Sequence, residues 1–159
     1  MSRGAHRPAG ATNYITVKKP PMRTYETFDH TADVGLVIRG RTLEELFANA
    51  ADALVDLTVD PAGLAEMIHK TVTVSAADLE ALLVAWLNEL LYVLDADGFL
   101  PRRVRITNLS HTALTAELRG DAVDPDRHTV RRMVKAATYH GLSLSRTNSL
   151  WEARMILDL

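Results

Sequence analysis

One stretch constrains this chain more than any other. Between positions 79 and 94, Leu79, Leu82, Leu83, Trp86, Leu87, Leu90, Leu91 and Leu94 recur at three- and four-residue steps and cover more than one face of a helix. A helix that apolar must be covered from several sides, so it belongs at the centre of a fold. Asn88 and Glu89 interrupt the run, which is too short to cross a bilayer. Ser75 and Asp78 open it, and Asp97-Gly98 with Pro101 stop it.

The rest of the chain supplies the cover. Thr42 and Glu45 form a T-x-x-E capping box, after which Leu43, Leu46, Phe47, Ala50, Leu54 and Leu57 make one stripe, ended by Pro61 and Gly63. Thr24 to Phe28 and Val34 to Arg39 are short strand-like runs on either side of a DHTAD loop. Ile68 to Ser75 alternates valines with polar residues, Arg102 to Leu109 and Ala113 to Arg119 are joined by a polar turn, and Leu150 to Leu159 closes the chain as an apolar-rich strand. Early alternation of strand and helix followed by clustered strands predicts an α+β two-layer domain, a mostly antiparallel sheet backed by two main helices. Residues 1–22, with Lys18-Lys19, Pro20-Pro21 and no acid, read as a disordered basic tail, and 23–159 as one domain. A transit peptide is the other reading of such a leader, against which Gly10 and the prolines count.

With 159 residues the chain can bury a core without disulfides or structural metal. Its lack of cysteine excludes a thiolate nucleophile, a cysteine zinc site and a disulfide framework. A formal charge of -2 argues against a broad basic face for nucleic acid, so no strong direct nucleic-acid binding is expected. Without a secretory apolar region or a membrane span, a soluble cytoplasmic protein is the expectation.

The residues with chemistry to offer sit at two places far apart in sequence. "FDHTADVG" holds Asp29, His30 and Asp33 with no lysine or arginine beside them, and "WEARMILDL" ends on Asp158 and the C-terminal carboxylate of Leu159. If the sheet joins the two, the carboxylates converge and repel unless a cation or proton intervenes. Oxygen donors without cysteine or histidine-rich spacing favour calcium, magnesium or manganese. Two side-chain carboxylates and a terminal oxygen fall short of the roughly six to eight ligands calcium takes. The plainer alternative is that Asp29 caps a turn, Asp33 bonds loop amides and Asp158 is a solvated end residue.

Other groups are less specific. His30 and His140 could make an acid/base pair, yet no motif places a nucleophile beside them, and His30 can simply order its loop. Asp95-Ala-Asp97-Gly98 echoes an EF-hand loop but lacks the later ligands. Arg127, His128, Arg131, Arg132 and Lys135 suit a phosphate or an acidic protein surface, or else form a solvated face balanced by Asp121, Asp124 and Asp126. No glycine pattern supports a nucleotide cradle.

Taken together, "DHTADVG", the Asp124 to Leu142 segment from "DPDRH" to "VKAATYHGL", and "WEARMILDL" resemble the signature blocks of the archease family, with the two helices in corresponding positions. The likeness spans about Tyr25 to Leu159; Ala137 and Gly141 are its departures. It implies a small accessory protein, not itself a catalyst, that promotes guanylylation and multiple turnover of the tRNA-splicing RNA ligase. It implies a metal site, calcium for preference, at Asp33, Asp158 and Leu159, and a functional role for Lys135. Two rivals remain: a general chaperone or scaffold, and a metal-dependent phosphoester hydrolase using Asp33, Asp158 and His30.

Overall fold

A computed structural model describes residues 24–30 and 32–159; the side chains of Asp29 and His30 and the expected tail, residues 1–22, lie outside that description. The chain runs β1 (Tyr25–His30), β2 (Asp33–Gly40), α1 (Leu43–Thr58), a 3-10 turn (Pro61–Gly63), β3 (Ile68–Ser75), α2 (Leu79–Asp97), β4 (Phe99–Leu109), β5 (Ala113–Ala122), β6 (Ala136–Ala137), β7 (Ser143–Thr147) and β8 (Leu150–Asp158). The α+β architecture with two helices and antiparallel pairing is as the sequence predicts. Its strands divide between two sheets: β1-β2-β8-β6, with β7 also on β8, and β3-β5-β4.

Local chemistry sets the helix ends. Thr42 caps α1 by accepting the Glu45 N–H at 3.1 Å, while the Glu45 carboxylate reaches past the cap to the Arg41 N–H at 3.1 Å. Asp78 caps α2 through the Ala81 N–H at 2.8 Å, and Gly98 ends it at φ 59°, a left-handed turn in place of a calcium loop. Leu82, Leu83, Trp86 and Leu87 are buried, as the leucine pattern requires, and the Trp86 indole N–H donates to the Phe47 carbonyl at 2.9 Å. Among the described residues no helix is long and apolar enough to cross a membrane.

Two boundaries differ from the sequence expectation. β4 begins at Phe99, with Pro101 inside the strand, because the ladder shifts register between Pro101 and Arg103 and an irregularity tolerates a missing N–H. The DHTAD segment is a tight hairpin, not an open loop: Asp29 and His30 end β1, Asp33 starts β2, and His30 pairs with Asp33.

Candidate functional site

The opening hairpin and the closing strand meet at one end of the larger sheet. Asp33 of β2 lies directly opposite Asp158 of β8, in a row that continues to His30 on β1 and Ala136 on β6. Directly opposed residues share a face, with Cβ atoms about 4.5–5.5 Å apart. Val34, Leu36 and Ile38 pair with Leu157, Met155 and Ala153, and all six are buried. Alternation therefore puts Asp33 and Asp158 on the outer face. Like charges so placed destabilise a ladder, and among the described residues no basic side chain forms an ion pair with Asp158.

The hairpin is braced on the same face. Phe28 pairs with Gly35, and its ring occupies the space a side chain at Gly35 would need, 2.0 Å from an added Cβ. The Arg154 guanidinium stacks 4.2 Å from the centre of that ring.

On the other side of β8 the backbone carries Lys135 to the row. Its N–H donates to the Asp158 carbonyl at 2.8 Å, and the Thr138 hydroxyl donates to the Ile156 carbonyl at 2.9 Å. Asn88 of α2 clamps the two-residue β6, accepting the Ala137 N–H at 2.8 Å and donating to its carbonyl at 3.1 Å. Sequence reasoning saw Asn88 only as an interruption. The signal was there, because an amide within an apolar helix face must find partners. The Lys135 side chain is exposed, and His140 occupies an exposed turn after β6, where the Leu142 N–H bonds the Tyr139 carbonyl.

These donors fit a hard divalent cation. Two aspartates face each other, Leu159 follows directly after Asp158, and the sequence holds no cysteine. Among the described residues no group of three or more histidine, aspartate or glutamate side chains gathers to complete a ligand set. Water or a docked partner would have to supply the remaining ligands.

Residues 25–159 match the model of the Archease protein family (MTH1598/TM1083). The chain belongs to the archease family. It is 32% identical over 139 residues to protein archease of Sulfolobus acidocaldarius, covering 87% of this chain and 100% of that protein. With protein archease of Thermococcus gammatolerans the identity is 37% over 142 residues, again covering 87% and 100%. The solution structure of Methanobacterium thermoautotrophicum protein 1598 matches with a TM-score of 0.73 at 33% identity, covering 87% of this chain and 100% of that one. The crystal structure of a Thermotoga maritima archease, called a possible chaperone, shares the fold with a TM-score of 0.54 at 21% identity, over 87% and 98% of the two chains.

The basic cluster of this archease divides into two parts. Asp121 is buried and accepts from Arg127 Nη1 and Nη2 at 3.1 and 3.2 Å and from the Ala65 N–H at 3.1 Å, with His128 Nε2 at 3.2 Å. His128 Nδ1 accepts the Asp124 N–H at 2.9 Å, so Nε2 carries the proton toward Asp121. Arg127 hydrogen bonds first, then the Ala65 amide, hold the Asp121 carboxyl down to about 2. Arg127 and His128 are thus structural. Arg131 lies 3.6 Å from Asp60, whereas Arg132 and Lys135 form no ion pair among the described residues.

Proposed function

We propose that this archease holds a divalent cation, calcium for preference, at Asp33 and Asp158 and activates a tRNA-splicing RNA ligase, promoting its guanylylation and multiple turnover. The observation that carries the reading is the in-register opposition of two aspartates, Asp33 and Asp158. Bound there, the cation would offset the paired charge and leave coordination positions for a partner's phosphate or carboxylate.

The chain's own residues supply placement. Asp33 and Asp158 stand on a sheet ladder, so their charge is fixed before any partner arrives. The Phe28–Arg154 stack steadies the hairpin, and the exposed Lys135, whose backbone N–H bonds the Asp158 carbonyl, is a further candidate for contact with a partner. Asp29, His30 and His140 are further partner-facing candidates on the hairpin and the turn. Electrostatic positioning of this kind changes phosphoryl-transfer rates by orders of magnitude without a nucleophile on the activator.

A ligase guanylylation assay with Asp33→Ala and Asp158→Ala tests the reading. Loss of stimulation is expected; full stimulation by both variants overturns it. The chaperone reading has one observation in its favour, the exposed Tyr92, Val130 and Met133 beside a deep cleft. It predicts binding of unrelated clients that survives loss of both aspartates. The hydrolase reading predicts phosphoester turnover by the protein alone, and no further observation favours it.

A further inference from the structure

Behind the acidic row, on the helix side of the sheet, lies a cleft of about 1120 Å³ bounded by the ends of both helices, the 123–135 segment and Leu159. Four of the seven large apolar side chains exposed among the described residues line it: Tyr92 at 63%, Val123 at 38%, Val130 at 61% and Met133 at 81%. A monomer rarely leaves such side chains grouped around a concavity without a use. With a volume just above the roughly 300–1,000 Å³ of small-molecule sites, the cleft has room for a short polypeptide segment.

The backbone along one wall is unfinished. The Arg131 N–H bonds the Thr58 carbonyl and the Lys135 N–H bonds the Asp158 carbonyl, but the N–H groups of Arg132, Met133 and Val134 donate to no backbone carbonyl among the described residues. This stretch belongs to no strand or helix. It is positioned to pair with an added extended segment.

Charge selects the occupant. Arg132 and Lys135, both exposed and without ion pairs among the described residues, line the cleft along the 132–135 stretch, against one acidic side chain in the lining, Asp95 of α2. Residues 1–23 of the chain itself carry Arg3, Arg7, Lys18, Lys19 and Arg23 and no acid, so that segment repels this rim. An apolar segment bearing carboxylates matches both the wall and the rim. The cleft is also continuous with the acidic row, since Leu159 lines it while Asp158 stands on the outer face.

We propose that this cleft seats an extended, apolar and acidic segment of the ligase alongside residues 132–134, an inference that rests on the reading above. One partner would then grip the cleft with its segment while its active site meets the acidic row. The anchors are Tyr92, Val130 and Met133; Arg132 supplies the charge match.

The test measures affinity for the purified cognate ligase with wild type, Met133→Glu, Arg132→Glu and the Asp33→Ala, Asp158→Ala double variant. Met133 and Arg132 are exposed, so both variants should melt as wild type and keep its calcium-induced thermal shift. The expected losses are tenfold or more in affinity for Met133→Glu and about fivefold for Arg132→Glu. Affinities within twofold of wild type for both overturn the cleft while leaving the aspartate site standing. Absence of ligase binding by wild type overturns both. If Met133→Glu instead converts a dimer to a monomer, or weakens binding of an unrelated unfolded protein as much as of the ligase, the commitment to a ligase segment is overturned.

Discussion

Two groups of carboxylates in this domain obey opposite electrostatic rules. Around Asp121 two acids are answered from within: Arg127, His128 and the Ala65 amide converge on Asp121, and Arg127 Nε and the Asp126 N–H satisfy Asp124 at 2.9 and 3.0 Å. At the sheet end, Asp158 faces Asp33 across the ladder. The first arrangement staples the 121–128 loop to the turn before β3, and its charges are consumed by folding. The second sets acid opposite acid across a ladder, an arrangement that a positive charge beside it stabilises.

The largest expected effect breaks the sheet end. Asp33→Ala with Asp158→Ala should cost tenfold or more in ligase stimulation and abolish the calcium-induced rise in Tm. For wild type at about a hundred times the dissociation constant that rise corresponds to roughly 2.7 kcal/mol, or about 5–10 °C at this size. Without calcium the double variant should melt no lower than wild type, since an opposed like-charge pair has gone. A lower calcium-free Tm with full stimulation would put these aspartates in the same structural class as Asp121.

Asp121→Asn should behave in the converse way, lowering Tm by about 5–8 °C at pH 7 while leaving the calcium shift intact. The sign of its pH dependence follows from its titration, about 2 folded against 3.8 unfolded. The folded state binds fewer protons, so the contribution is fully present above about pH 5 and is lost as pH falls through the folded value. Melting wild type and variant from pH 6 to pH 2 should show the Tm gap closing toward the acid end. A gap that persists at pH 2 would mean that the side chain acts through shape rather than charge. Asn88→Ala comes next: losing both bonds to Ala137 should cost about 2 kcal/mol and loosen β6 beneath Lys135, with a severalfold loss of stimulation.

The helices were legible because periodicity and capping are local: Thr42 and Asp78 cap where the sequence says, and the leucines of α2 are buried. The apolar ending of the chain also told that Asp158 is held in a sheet. Register was not legible, since a one-residue slip would carry Asp158 to the helix side, and only pairing between distant strands decides it. β6 and β7 escaped notice for a related reason: β6 has only two residues, β7 is short and largely exposed, and β8 defines them more than any pattern of their own. The cleft was invisible because its walls come from segments far apart in sequence, none of which looks unusual alone.

A third acid lies between the two extremes and gives the smallest effect. Asp56 accepts from the Tyr25 hydroxyl at 2.7 Å, so its donor is a neutral phenol rather than a cation. Burial first, and the bond to Asp56 second, push the phenol up to about 12. A group raised in the fold contributes stability that is complete below its unfolded value of 10.0 and disappears as pH climbs through the folded one. Tyr25→Phe should therefore cost about 0.5–1 kcal/mol at pH 8, discounted for partial exposure, or roughly 2 °C in Tm. The difference should shrink between pH 10 and pH 12, where the wild-type phenol ionises beside a carboxylate. Calcium should shift both proteins equally, because Tyr25 pairs with Ile38, five residues along β2 from Asp33. An unequal shift would tie the two ends of the hairpin together and erase the line between acids that serve the fold and acids that serve a partner.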